Sequence, residues 1–396
     1  MNPAFFGLLS LLGILAVAGR AVVSGKRSYS LFASMILGTH SAIVCALFGK
    51  LGVLQIVAVL LQILALVHYF RLIGVRGMRP NWYRLGVSIP ALWFVAGSLL
   101  ALPWALAIAM GFDPPLVWLP WIVAATGLPA SLRHKAQDVD LVLDGRRIRG
   151  LRRMGHGLSH TPRPLRIVQI TDPHLGPFMP VERLRAVCER AVEADPDLIL
   201  LTGDYLTMES STNAAPLTEA LDPLRALPGR CFAIRGNHDL AAPQEVATAM
   251  EANGVRLLID EAARADTPLG SVQVIGLDWR WRDQSAAIRA VLGRYPRVPG
   301  IPRLVLLHDP AAFRLLDDGQ ADLVFSGHTH GGQIGLFGVG LQRSVLALTK
   351  IPDHGFWGMG HNRLYVHRGT GHYGFPLRIG VPGEEGVLRL HFPGSA

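Results

Sequence analysis

The chain has 396 residues, half of them hydrophobic and only 17% charged, with a mean hydropathy of +0.32. That balance excludes an ordinary soluble enzyme, and three cysteines (Cys45, Cys188, Cys231) without metal-ligand spacing exclude a disulfide framework or a thiolate metal site. A formal net charge of +9 does not argue for nucleic acid, because many basic residues flank apolar segments, the pattern of a membrane surface.

Taken in order, the chain opens with apolar runs at 4–23, 31–49, 51–70, 88–111 and 115–131. Each approaches the ~20 residues that a bilayer crossing needs. The first lacks a basic leader and a cleavage site, so it reads as a retained anchor. Arg20, Lys26 and Arg27 follow the first run, Arg71, Arg76, Arg79 and Arg84 the third, and Arg133, Lys135, Arg146 and Arg147 the fifth. The positive-inside rule then expects about five spans over 1–132, in the cell membrane, with everything later in the cytoplasm. His40 and His68 are single ionisable groups within apolar runs, without an acidic partner, and are expected to pack rather than transport.

Residues 133–164 read as a basic connector, with Val139 to Leu143 alternating as an edge strand. Its Arg146, Arg147, Arg149, Arg152 and Arg153 suit anionic headgroups as well as a topological signal. From 165 to 396 the pattern changes. Apolar β-rich runs at 165–171, 198–202, 231–235, 272–277, 303–307 and 322–326 alternate with helical patterns, which implies an α/β domain.

Polar residues gather where these strands end: Thr171-Asp172-Pro173-His174, Thr202-Gly203-Asp204, Arg235-Gly236-Asn237-His238-Asp239, Leu307-His308-Asp309 and Gly327-His328-Thr329-His330-Gly331-Gly332-Gln333. Ligands of open α/β sheets bind outside the carboxyl ends of strands. Five such motifs in a row are hard to explain as core residues. Asp, Asn and His without thiolate argue against structural zinc and calcium and suit Mn, Fe, Zn or Co. Seven ligands exceed one tetrahedral ion and suit two divalent metals sharing a carboxylate.

The order Asp-x-His, Gly-Asp, Gly-Asn-His-Asp, His, Gly-His-x-His resembles the calcineurin-like metallophosphoesterases over 165–392. It looks closest to their bacterial membrane-associated branch, because the glycine-rich turn is followed by Val366-His367-Arg368-Gly369-Thr370-Gly371 and Pro376-Leu377-Arg378-Ile379. The resemblance implies a four-layer α/β/β/α sandwich after the multi-span helical domain. It implies one metal on Asp172, His174 and His330, a second on Asn237, His308 and His328, and Asp204 bridging them. It also implies that His238 faces the leaving group, with Asp239 orienting its ring. Arg235 and Arg368 are candidates for a second substrate phosphate. The apolar stretch Leu336, Phe337, Leu341, Phe356 and Trp357 suits an acyl chain or the bilayer, or a packed flap.

The expectation is a membrane-anchored, dinuclear phosphoesterase that hydrolyses a phosphomonoester or phosphodiester by metal-activated hydroxide. Membrane attachment favours a lipid-linked or nucleotide-linked substrate. The alternative is a signalling or scaffold module whose metal site binds a phosphorylated ligand without turnover. A degenerate ligand set would favour that alternative, and here every expected ligand is present.

Overall fold

The computed structural model describes residues 2–74, 77–132, 134–155, 157, 163–337, 341 and 343–392; Arg76 and Arg133 of the basic flanks lie outside them. The chain divides into two compact units. One runs to Ser131 and also takes in Gly374–Ile379; the other holds Leu132–Tyr373 and the chain from Gly380.

Apolar composition and end signals build the first unit. Helix α1 (Pro3–Val23) starts where the Asn2 side chain accepts from the Ala4 N–H at 2.9 Å, with Pro3 at its first position. It is followed by α2 (Arg27–Phe48), α3 (Gly52–Leu72) and α4 (Asn81–Leu100), and these four are long and apolar enough to cross a membrane. The fourth apolar run breaks at Ala101, where Pro103 enters the first turn of α5 (Leu102–Ala109) and cannot donate to the preceding turn. The fifth forms α6 (Leu119–Leu132). Its 14 residues span about 21 Å, short of the ~30 Å hydrocarbon core. Four long helices and two short ones, α5 and α6, therefore stand where about five spans are expected. His40 Nε2 lies 2.6 Å from Gln62 Oε1, and Gln62 donates to Ser41, so this histidine is held between α2 and α3.

The second unit is built on two large sheets. Its strands are β1 (His134–Ala136), β2 (Val139–Val142), β3 (Ile148–Arg153), β4 (Leu165–Ile170), β5 (Leu198–Leu201), β6 (Cys231–Ala233), β7 (Arg256–Leu257) and β8 (Glu261–Thr267). Then come β9 (Gly270–Leu277), β10 (Arg303–Leu307), β11 (Leu323–Ser326), β12 (Gly355–Gly360), β13 (Asn362–Val366), β14 (Gly383–Glu385) and β15 (Val387–His391). One sheet has the order β2-β15-β4-β5-β6-β7, the other β3-β12-β13-β11-β10-β9-β8, and β1 pairs with β14 alone. The runs β4 to β7 and β9-β10-β11-β13 are parallel, which requires crossovers and cover on both faces.

The period of two along each strand supplies that cover. Leu304 and Leu306 join Leu198, Leu200, Ile167 and Phe325 in a core shared by both sheets. Val305 and Leu307 point the other way, onto Ile288, Val291 and Leu292 of the helix Gln284–Arg294. Each such side chain contributes roughly 1.5–3 kcal/mol by leaving water. The helices Val181–Glu193, Ala215–Leu221 and Pro243–Ala252 connect β4, β5, β6 and β7. Since the inner face of that sheet is taken by the other sheet, these crossovers cover its outer face. The result is a four-layer α/β/β/α arrangement.

The stretch expected as a connector takes part in this unit. Val139 and Leu141 enter the inter-sheet core through β2, while β3 edges the other sheet. Its charges are matched by distant partners: Arg363 pairs with Asp144, and Arg389 with Asp138 and Asp140.

Candidate metal centre

The motifs at the ends of β4, β5, β6, β10 and β11 converge at one edge of the sandwich. Asp172, His174 and His330 form one group with ligand atoms within 4.8 Å of one another, and Asp204, His308 and His328 form a second. In the first, His330 Nε2 lies 3.4 Å from Asp172 Oδ1 and 3.3 Å from His174 Nε2. In the second, His308 Nε2 lies 3.2 Å from Asp204 Oδ2 and 3.3 Å from His328 Nδ1. The same Asp204 Oδ2 is 3.7 Å from His174 Nε2, so this carboxylate faces both groups.

The local backbone is shaped for this convergence. Of ten described non-glycine residues with positive φ, five are Asp172, His174, Asp204, His328 and His330. Strain concentrated on the same residues that bring donor atoms together marks a functional site rather than a packing accident. Glycine is required where the loops touch. A side-chain carbon on Gly327 would sit 2.1 Å from Asp172 Oδ2, and one on Gly236 2.2 Å from Asp204 Oδ1.

Neighbours aim the ligand atoms. His308 Nδ1 lies 2.7 Å from the Thr202 carbonyl, and His330 Nδ1 lies 3.2 Å from that of Gly371, leaving each Nε2 for the centre. Asp172 accepts from Thr171 Oγ1 and from the His328 N–H. Asp204 Oδ1 accepts from the His238 N–H at 2.9 Å. The Asp239 carboxylate accepts the backbone N–H groups of Gly236, Asp204 and Tyr205 at 2.7–2.9 Å. It was expected to orient the His238 ring; its oxygens instead bind the β5 and β6 loops together, because the tight Gly236–Asp239 turn points them at the backbone.

Electrostatics give the donor set a second signature. Burial pushes Asp172 up to about 6 and Asp239 up to about 7, with the Asp204 charge adding to both. Burial would also raise Asp204, but His308 outweighs it and holds this carboxyl far below the ordinary range. For His308 burial acts downward, and Asp204 overrides it to reach about 10. Burial lowers His174 to about 3 and His328 to about 4, which keeps both imidazoles neutral and able to ligate. Asn237 Oδ1 is buried and has no hydrogen-bond partner among the described residues. A buried acceptor so placed costs about 1–3 kcal/mol unless something binds it. Oxygen and imidazole donors, crowded carboxylates and an orphan amide oxygen all fit divalent cations.

The other expected site residues differ in burial: Arg235 and His238 are half-buried and Arg368 is buried. His238 is half-buried, its ring 5.1 Å from that of His174 and 4.7 Å from that of Tyr373. Arg235 makes a two-pronged ion pair with Asp278, and Arg368 pairs with Glu384 at 3.1 Å. Two aromatics escaped the sequence reading. Tyr373 lies over His174 at 5.4 Å, and Trp279 lies 5.2 Å from His328 and 5.7 Å from His308. The signal for Trp279 was available, since it follows β9 as the histidine motifs follow their strands.

Residues 165–332 match the family described as calcineurin-like phosphoesterase. The phosphodiesterase YaeI of Escherichia coli (strain K12) is 31% identical over 231 residues, which cover 57% of this chain and 82% of that protein. The chain belongs to the calcineurin-like phosphoesterases. As a phosphoesterase of this family it is a metal-dependent phosphoric ester hydrolase. The UDP-2,3-diacylglucosamine pyrophosphatase LpxG of Chlamydia muridarum is 28% identical over 278 residues, 57% of this chain and 83% of that protein. A transmembrane protein with a metallophosphoesterase domain from Danio rerio is 29% identical over 243 residues, 56% of this chain and 52% of that one.

Proposed function

We propose that the chain is a membrane-anchored dinuclear phosphoesterase acting on a phosphodiester or pyrophosphate within an amphiphilic, lipid-linked or nucleotide-linked substrate. The observation that carries the dinuclear reading is the position of Asp204 Oδ2, 3.7 Å from His174 Nε2 and 3.2 Å from His308 Nε2. Asp172, His174 and His330 would hold one ion, Asn237, His308 and His328 the other, and Asp204 both. Two divalent ions supply Lewis acidity there, lowering the pKa of water toward ~7 and neutralising phosphoryl charge.

The chain's own groups do the rest. His238, half-buried and fixed through its N–H to Asp204, would act as an imidazolium, giving one ring proton to the departing oxygen and becoming neutral imidazole. Asp239 keeps that turn and the Asp204 turn in register. Tyr373 lies against His174 and His238, and Trp279 against His308 and His328, so each group of imidazoles has an aromatic neighbour. Support for an amphiphilic substrate comes from the four apolar helices and from the lipid-related name of the chlamydial relative.

For sidedness we favour the cytoplasm. Lys50 pairs with Asp113 at 2.7 Å, so the α2–α3 turn and the α5–α6 loop share one end of the helical unit. The basic Arg20, Arg71 and Arg79 belong to the other end, and the cytoplasmic reading requires the short α6 to bring the chain back to that end. A C-terminal fluorescent-protein fusion should glow and a C-terminal alkaline phosphatase fusion should be silent; the reverse pair overturns this orientation.

The enzymatic reading is tested by turnover of bis-p-nitrophenyl phosphate by the full-length protein with Mn²⁺, Zn²⁺ or Fe²⁺. We expect activity that a chelator abolishes and added metal restores. A folded protein inactive with every divalent metal contradicts it and favours the binding-module alternative.

A further inference from the structure

Outside the metal centre, the catalytic unit holds a second concavity of about 640 Å³. Ile351, Trp357 and Met359 form its apolar side, and Arg153, Arg314 and Lys350 line it as well. Asp353 is the one carboxylate of this lining, and it is already engaged. It pairs with Arg153 and accepts from Ser344 Oγ at 2.6 Å. The Arg153 guanidinium also lies over the Trp357 ring, 4.9 Å from its centroid, so this cation is held by protein on both sides.

Arg314 and Lys350 differ. Both are exposed, and neither makes an ion pair among the described residues. The Arg314 guanidinium donates to the Lys350 main-chain oxygen, which keeps the two positive side chains at the same place on the wall. Beside them, the turn Val345–Leu348 and the residues after it present an apolar lip. Leu348 is 94% exposed, Val345 49% and Ile351 38%. An apolar pocket, two uncompensated cations and an apolar lip together describe the complement of an anionic amphiphile. Free phosphate would gain nothing from Trp357, Met359 or the lip, and a neutral lipid would leave the cations unmatched.

The site is tied to the catalytic turn. Thr329, between His328 and His330, donates its hydroxyl to the Asp353 main-chain oxygen at 2.7 Å. A molecule seated against Arg153 and Trp357 is therefore one hydrogen-bonded residue away from the turn that carries two ligand imidazoles.

We propose that this cavity binds an anionic phospholipid, its phosphate between Arg314 and Lys350 and a chain against Ile351, Trp357 and Met359. The proposal rests on the reading that the chain lies in a bilayer, and not on turnover at the metal centre.

The test uses the full-length protein in phosphatidylcholine nanodiscs doped with photoactivatable phosphatidylglycerol, with labelled peptides identified by mass spectrometry. Label is expected on peptides covering 343–359. It should fall roughly tenfold or more in Arg314→Gln/Lys350→Gln, while label on the apolar helices stays unchanged as an internal control. The proposal is overturned if those peptides carry no label. It is equally overturned if the double variant is labelled like wild type, if photoactivatable phosphatidylcholine labels them equally, or if excess inorganic phosphate removes the label. Bis-p-nitrophenyl phosphate turnover in the same nanodiscs separates the two readings. Turnover without label overturns the lipid site alone, and label without turnover overturns the enzyme alone.

Discussion

Two clusters of buried charge meet at Gly331, and they are built on opposite terms. On one side His330 belongs to the centre that holds Asp172 and Asp204, and the buried Asp239 carboxyl lies close enough to feel the Asp204 charge. On the other side a side-chain carbon on Gly331 would lie 3.0 Å from Arg368 Cγ. There Glu384 takes the Arg368 guanidinium and N–H and the Tyr365 hydroxyl. The first cluster has more acid than the protein neutralises, together with a strained backbone. The second closes its own charge balance. Equal burial thus leads to different roles: an open account of charge calls for cations from outside, and a closed one fixes the fold around them.

That contrast can be broken by substitution, beginning with the largest effect. Asp204→Asn removes the shared carboxylate, and metal content and phosphodiesterase activity are expected to vanish together; metal analysis beside a turnover assay checks this. A variant that kept full metal with normal activity would remove Asp204 from the centre. His238→Ala should retain metal and lose about 10²–10⁴-fold in kcat, because only a proton donor is gone. Loss of metal in that variant would make His238 a ligand instead.

In the closed cluster the outcome should be one of stability. Arg368→Ala strands a buried carboxylate, which costs about 3–5 kcal/mol, measured as a lowered denaturation midpoint. If Arg368→Ala instead unfolds like wild type and raises KM alone, the arginine serves substrate, as its guanidinium fork suggests. Glu384 gives a smaller, pH-dependent version of the same test. Burial would raise its carboxyl, but His367 and Arg368 outweigh it and hold it at about 2, below the ordinary 4.5. A depressed carboxyl stabilises the fold fully above the unfolded value and loses that contribution as pH falls through the folded one. The stability gap between wild type and Glu384→Gln should therefore narrow from about pH 4.5 down to about pH 2. A gap that holds constant over that window would mean the carboxylate is not charged in the fold.

The open cluster is legible in the sequence for a physical reason. Its residues are polar side chains placed directly after apolar strands, so spacing alone brings Asp172, His174, Asp204, His308, His328 and His330 to notice. What is not legible depends on contacts made across the fold. Tyr373 and Trp279 are single aromatics whose value comes from the imidazoles they face. The family resemblance implies an orienting role for Asp239, yet turn geometry hands its oxygens to three backbone N–H groups. Val139 to Leu143 alternates and forms β2, but β3 is hidden by arginines whose partners, such as Asp318 for Arg147, lie far along the chain. The apolar runs are legible as helices, and Pro120 already marks the fifth as short.

Metal stoichiometry across three proteins decides whether Asp204 joins two distinct metal positions. Wild type should hold two divalent ions per chain. His328→Ala and His330→Ala should each lose one, and the ion that stays should show a different coordination spectrum in the two variants when cobalt is used. A wild type with one ion per chain, or two variants left with the same single ion, would contradict the account.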